Sequence, residues 1–112
     1  MSTQLQPADL RRHLRVDCSR RAWCEHRDWT LYLPLANVSQ GGLFIQTSTS
    51  FARGELLRVC LTDRDPLIVV DVEVLWTSAQ AARVGVGCAI RAFVQGADAY
   101  ADLVEQLTPA SR

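Results

Sequence analysis

Three arginines lie close together near the start of the chain, in the stretch LRRHLRVD. Arg11 and Arg15 are four residues apart, and Arg12 lies between them. A guanidinium is a planar fork of donors that matches phosphate oxygens, stacks on bases and pairs with the O6 and N7 edge of guanine. These arginines are therefore suited to close over a nucleotide. The alternative is a solvated basic tail that forms salt bridges with acidic residues elsewhere.

A second polar stretch, LANVSQGGLFI, interrupts two apolar runs at residues 35–45. One interpretation is a loop built around a type I turn, in which Gly41 or Gly42 supplies a positive φ. The other is a ligand-binding lip, where Asn37 and Ser39 contribute polar side chains and Gly42 lets a ligand approach the backbone. The stretch by itself leaves both interpretations open.

Residues that could support catalysis are few. His13 and His26 are the only histidines. His26 follows Cys24 by two residues, but without an orienting third group this pattern favours a solvated turn histidine beside a buried thiol over a nucleophile pair. Asp63 and Asp65 stand in a turn-forming segment rather than in an acid–base dyad. We therefore expect that the protein is not an enzyme.

The composition indicates one compact domain. The chain has 112 residues, of which 48% are hydrophobic, enough to form a core. Its net charge is zero, which argues against binding to a nucleic-acid polymer. All twelve basic residues are arginine, and six of them lie between Arg11 and Arg27. No apolar run is long enough to span a membrane and no signal peptide is evident, so we expect a cytoplasmic protein.

The four cysteines, Cys18, Cys24, Cys60 and Cys88, lie in apolar runs. Cys18 and Cys24 are six residues apart and have no second pair nearby, whereas a zinc site usually has closely paired ligands. We therefore expect reduced, buried thiols and no metal or other cofactor.

Six runs have the composition and the period of β-strands, with an apolar residue at every second position. They are residues 15–25, 28–36, 42–48, 53–63, 66–79 and 82–93. In the fifth run, Trp76 continues the apolar alternation of three valines, and in the sixth Gly85 and Gly87 indicate close packing against the backbone. We also expect an irregularity near Arg20 and an edge or bulge at Pro34.

The end of the chain changes period. Apolar side chains at Tyr100, Leu103, Val104 and Leu107 fall on one face of a helix over residues 97–107. The fold class is therefore mainly all-β, a six-stranded antiparallel barrel with a C-terminal helix. We expect a flexible arm at 1–14, the barrel and helix at 15–108, and a tail at 109–112.

Taken together, Arg11-x-x-x-Arg15 followed by Asn37-x-Ser39-x-x-Gly42 resembles the pair of motifs that defines the PilZ domain. The resemblance covers nearly the whole chain and includes the run GGLFI, the valine-rich strand that ends in Trp76, and the GVGCAI strand before the helix. It implies a six-stranded barrel with a C-terminal helix that binds the bacterial second messenger cyclic di-GMP.

The resemblance also implies a role for each motif residue. Arg11 and Arg15 would hold phosphates and guanine from one side, with Arg12 as a candidate helper. Asn37, where many family members have Asp, would bind a guanine. Ser39 would offer its hydroxyl to a base or phosphate, and Gly42 would leave room for the ligand.

The resemblance predicts a stand-alone receptor that acts as an adaptor for an unidentified effector protein. The alternative is a PilZ scaffold that binds no ligand and works through protein contacts. PilZ domains bind either one cyclic di-GMP or an intercalated pair, and the second molecule of a pair adds two negative charges. Leu10, directly before the first motif arginine, adds no positive charge to balance them, so we expect one ligand molecule per chain. The guanidiniums of Arg11 and Arg15 would bind the ligand phosphates, so we expect the arm to become ordered on binding.

Overall fold

The computed structural model describes residues 16–18, 20–63, 67–80 and 83–108. The expected arm at 1–14 and the expected tail at 109–112 lie outside these residues. The elements in chain order are β1 (Val16–Asp17), β2 (Arg21–His26), β3 (Trp29–Ser39), β4 (Gly42–Gln46), β5 (Leu56–Leu61), β6 (Ile68–Gln80), β7 (Arg83–Gln95) and α1 (Ala97–Leu107).

The strands form an antiparallel barrel. Their order in the sheet is β1-β3-β2-β5-β6-β7-β4, and additional pairing between β3 and β4 closes the ring. Six strands make up that ring, and the two-residue β1 extends it along one edge of β3. The predicted fold class, a six-stranded barrel followed by a helix, is confirmed.

The first predicted strand is broken where an irregularity was expected. β1 and β2 both pair with β3, at Val16↔Val38 and from Arg21↔Pro34 onward. Between them the Cys18 N–H donates to the Ala36 carbonyl at 2.9 Å. Along one edge of β3, the first part of the strand therefore pairs with β2, and the last part pairs with the segment that precedes β2.

The strand β3 is longer than its apolar alternation predicts. A bulge between Leu35 and Asn37, directly after Pro34, marks the point where pairing with β4 begins. Beyond it the strand continues to Ser39, which pairs with Gly42, so only Gln40 and Gly41 connect the two strands. The predicted loop is therefore the end of a tight hairpin.

The core is built from the inward side chains of the strands and is closed by α1. Leu57, Val59 and Leu61 of β5 are buried, as the alternation predicted. The helix contributes Tyr100, Leu103 and Val104 to the same cluster, and its bounds agree with the prediction. The helix begins after Gly96, whose φ is 83°.

Trp76 continues the apolar alternation of β6 in the sequence but does not continue the buried face of the strand. Val70, Val72 and Val74 are fully buried in the core, but a bulge between Val74 and Trp76 follows them. Val74 pairs with Cys88 and Trp76 with Gly87, which are consecutive residues of β7 and so face opposite sides of the sheet. The extra residue moves the Trp76 ring to the outer face of the barrel.

Candidate functional site

Ser39 and Gly42 close the hairpin between β3 and β4. The Ser39 hydroxyl accepts a hydrogen bond from the Gly42 N–H at 3.1 Å and lies 3.3 Å from the Gly42 carbonyl oxygen, to which it can donate. The Ser39 residue is only 3% exposed. The structure therefore brings two of the predicted ligand-binding residues into direct contact, and the serine also has a structural role in the turn.

Gly42 is required for a different reason from the one expected. Among the described glycines only Gly54 and Gly96 have a left-handed φ, so the expectation of a positive φ at Gly41 or Gly42 is wrong. A Cβ on Gly42 would instead lie less than 3.0 Å from the Cys88 carbonyl oxygen. The neighbouring strand β7 approaches so closely that no side chain fits there.

Asn37 lies on the outer face of β3, two residues before Ser39. Its neighbour Val38 is fully buried in the core, so the alternation of the strand directs Asn37 outward. The asparagine is nevertheless 5% exposed and interacts with other residues of the chain. Its strand neighbours are Asp17 on β1 and Phe44 on β4.

An aromatic pair borders this motif on the outer face. Phe44 alternates with the core residues Leu43 and Ile45, so it faces outward, yet it is fully buried. Its ring centroid is 5.3 Å from that of Trp76. The indole lies across Gly87, where a Cβ would collide with it. The close packing that the glycines of β7 predicted is thus the contact with this ring at Gly87 and the contact with the Ile45 carbonyl of β4 at Gly85.

The side chain of Tyr100 joins the helix α1 to the hairpin. The Tyr100 hydroxyl lies 2.7 Å from the Ser39 carbonyl oxygen and 3.1 Å from the Gly42 carbonyl oxygen, so it can donate to either. Helical periodicity placed Tyr100 on the apolar face but did not indicate this polar contact. The sequence indicated it only in that a residue with a hydroxyl, Tyr100, stands on the apolar face of the helix.

The strand β1 leads the chain into the barrel next to the motif. Val16 pairs with Val38, and Asp17 pairs with Asn37. The candidate residues Arg11, Arg12 and Arg15 lie outside the described residues, immediately before this strand. The described structure therefore brings together Asn37, Ser39 and Gly42, and the arginines remain a prediction from the sequence.

The alternative catalytic residues lie elsewhere and have unsuitable surroundings. His26 is not the solvated histidine expected, because its side chain is only 14% exposed and stacks on Trp29 at a centroid distance of 5.1 Å. Burial raises the pKa of Cys24 to about 12, so its thiol is protonated at neutral pH. Within the described residues no three potential ligands converge on a metal position.

The model of the PilZ domain family matches residues 9–107, which is most of the chain. The protein belongs to the PilZ family. Among the matching solved structures is the Bacillus subtilis inhibitor of motility, MotI/DgrA, with a TM-score of 0.68 and 16% sequence identity. That alignment covers 94% of this PilZ domain and 51% of the other chain, so this chain spans about half its length. At this identity the likeness concerns the fold.

A search of the curated proteins found no significant match to this PilZ domain. In the part of the chain that the structure describes, no helix is sufficiently long and apolar to cross a membrane.

Proposed function

We propose that this PilZ domain is a receptor for cyclic di-GMP. Arg11 and Arg15 bind the phosphates and a guanine from the side of the N-terminal segment. Asn37 and Ser39 contact the ligand from the barrel, and the Gly42 N–H holds the Ser39 hydroxyl in the hairpin. Arg12 assists without belonging to the motif.

The observation that supports this proposal most strongly is the pairing of β1 with β3. Val16 lies opposite Val38, which is the residue between Asn37 and Ser39. The described chain therefore begins one residue after Arg15 and enters the barrel directly beside the second motif. This entry point supports the proposal that Arg11 and Arg15 reach a ligand held by Asn37 and Ser39.

The hydrogen bonds of Ser39 leave it able to contact a ligand. Its oxygen receives the Gly42 N–H, and its own proton points to the Gly42 carbonyl across a long 3.3 Å contact. A hydroxyl has one donor and two lone pairs and can rotate. The proton can therefore turn to a ligand oxygen while the bond from Gly42 is retained.

Asn37 provides an amide where many PilZ domains have a carboxylate. An amide has an acceptor oxygen and two donor hydrogens, so it can pair with the donor and acceptor edge of guanine without a charge. Because Asn37 already interacts within the chain, ligand binding must replace or share those contacts. This exchange reduces the gain from binding relative to a free side chain.

The direct test is calorimetric titration of the 112-residue chain with cyclic di-GMP, with GTP and cyclic AMP as controls. We expect heat with cyclic di-GMP only, at one molecule per chain. Removal of Arg11 or Arg15 should cost roughly 1.5–3 kcal/mol of binding free energy, as for other charge-assisted hydrogen bonds. The matched control is Arg27→Ala, because Arg27 is an exposed arginine beyond the other end of β3.

Two outcomes would contradict the proposal. If cyclic di-GMP gives no heat at tens of micromolar, the alternative of a scaffold that binds no ligand is supported instead. If Arg15→Ala lowers the melting temperature of the ligand-free protein, the arginine has a structural role. The ordering of the N-terminal segment is tested separately, by slower amide exchange of residues 5–15 at saturating ligand.

We further propose that the protein acts in the cytoplasm as an adaptor for an effector protein. One structural neighbour is named an inhibitor of motility, which makes the motility machinery the first candidate for that effector. The experiment is to measure swimming after deletion and after complementation with the wild type or with Arg15→Ala. Rescue by both genes alike would contradict a ligand-dependent output through motility.

A further inference from the structure

An aromatic pair on the outside of the barrel, away from the motif, has no role in the proposed binding site. Trp23 of β2 and Tyr32 of β3 are 41% and 45% exposed, and their ring centroids are 4.8 Å apart. The Arg21 guanidinium lies 5.9 Å from the centre of the Tyr32 ring. Tryptophan, tyrosine and arginine are the residue types that contribute most binding energy at protein interfaces.

These rings belong to an apolar row that crosses four strands. Trp23 pairs with Tyr32 on one side and with Cys60 of β5 on the other, and Cys60 pairs with Val69 of β6. Directly paired residues share a face of the sheet, so all four lie on the outer surface. Cys60 and Val69 are half-buried. We call these four residues the aromatic row.

Charges of opposite sign stand on the two sides of this row. Arg21 and Glu25 are two residues before and after Trp23 on β2, so each lies roughly 7 Å from it along the strand, on the same face. Both are exposed, and neither forms an ion pair with another described residue. Arg58, the strand neighbour of Glu25, is already bound through two nitrogens to Asp71.

We propose that the aromatic row binds a second copy of this chain. A two-fold axis that is tangent to the row between Trp23 and Cys60, and lies between two facing barrels, reverses the direction of β2. It places Trp23 against the same residue of the other copy, and it places each Arg21 opposite the other copy's Glu25. The pattern of positive charge, aromatic ring and negative charge is therefore complementary to itself, as a two-fold interface requires.

The shape of the surface sets the strength of this dimer. The outer face of a closed barrel is convex, so two copies meet over less area than the roughly 800 Å² per partner of a standard interface. The main contribution comes from the exposed aromatic rings, and the two ion pairs fix the orientation. We therefore expect a dimer whose population rises with protein concentration.

The first experiment is sedimentation velocity of the full chain at micromolar and near-millimolar concentrations, without nucleotide. Wild type should show a reversible dimer. R21E and E25R should each weaken the dimer by roughly tenfold, because either reversal places two like charges opposite each other in both symmetry-related pairs. The double reversal R21E/E25R should restore the wild-type affinity. A monomer at every concentration, or a double variant as weak as the single variants, would overturn the proposal.

The second experiment tests the rings and their position on the axis. Trp23→Ala should weaken the dimer by at least roughly thirtyfold, the effect of removing a central anchor. The matched control is Val84→Ala, which truncates another exposed apolar side chain, near the β6–β7 hairpin, and should have no effect. Equal weakening by both truncations would contradict the assigned face. Circular dichroism of each variant verifies that the barrel is folded.

Cys60 reports the geometry directly. It lies close to the axis, and facing sheets are about 10 Å apart, so a short bis-maleimide should join the Cys60 thiols of two chains. The other cysteines are buried. Cross-linked dimer should form with wild type and disappear with Cys60→Ser or Trp23→Ala. Cross-linking that persists in Trp23→Ala would indicate random collision and would refute the interface.

Discussion

Replacement of Tyr100 by Phe removes one hydroxyl from the contact between α1 and the β3–β4 hairpin. The side chain is 1% exposed, and its ring packs in the core against Phe93 at a centroid distance of 5.5 Å. Phenylalanine keeps the ring and its packing. The variant therefore isolates the hydrogen bond to the backbone of Ser39 and Gly42.

The cost follows from what each carbonyl loses. The Tyr100 hydroxyl has one proton and two acceptors, so at most one full hydrogen bond is lost. The Gly42 carbonyl keeps the Ser39 hydroxyl as a partner, and the penalty therefore concerns mainly the Ser39 carbonyl. A buried hydrogen bond of this kind contributes about 1–2 kcal/mol to the free energy of unfolding. In a domain of this size that lowers the melting temperature by roughly 4–12 °C.

The assay is urea unfolding followed by circular dichroism, together with calorimetric titration of the folded variant. The control is Tyr32→Phe, which removes an exposed hydroxyl and should change stability by less than about 0.5 kcal/mol. We also expect weaker cyclic di-GMP binding by Tyr100→Phe, because Ser39 and Gly42 would be held less rigidly. A free energy of unfolding equal to that of the control would refute the assigned hydrogen bond.

Three further variants or reagents test other parts of the structure. Gly42→Ala should cost about 2–3 kcal/mol in urea unfolding, since the new Cβ meets the Cys88 carbonyl; unchanged stability would show that β7 can yield. A thiol reagent should label Cys60 first and Cys24 only on unfolding, because Cys24 is fully buried and burial raises its pKa to about 12; simultaneous labelling would contradict this order. Asp71→Asn should cost at most about 1 kcal/mol at neutral pH, since its pair with Arg58 is exposed. The Arg58 hydrogen bond lowers the pKa of Asp71, so its contribution is present above the usual aspartate pKa and is lost as pH falls through the lower folded value. The stability curves of the wild type and of the Asp71→Asn variant should therefore converge below about pH 4, and a constant difference there would argue against the ion pair.

Local periodicity was sufficient to predict the elements and the class of the barrel. Val70, Val72 and Val74 alternate with charged residues, and Tyr100, Leu103 and Val104 recur at helical spacing. These patterns can be recognised in the sequence because each depends on neighbours within one strand or one helix. The motif pair could be found for the same reason, since its residues have fixed spacings along the chain.

The packing contacts around the motif residues are made by strands that are far apart in sequence. Gly42 is needed because β7 passes close to it, and Trp76 leaves the core because of a bulge in the pairing of β6 with β7. His26 is largely buried because it packs on Trp29 and Phe51. No local pattern predicts a register shift or the neighbour that it selects.

Patterns within the sequence were therefore sufficient to predict which segments form strands and helix, which faces are apolar, and which polar residues are candidates for a ligand. The pairing of distant strands aligns Trp23, Tyr32 and Cys60 in one row on the outside of the barrel and brings β1 in beside Asn37 and Ser39, and no sequence pattern predicted either arrangement. Side-chain direction is set locally by the backbone, whereas the identity of a cross-strand neighbour is set by hydrogen-bond register between distant segments.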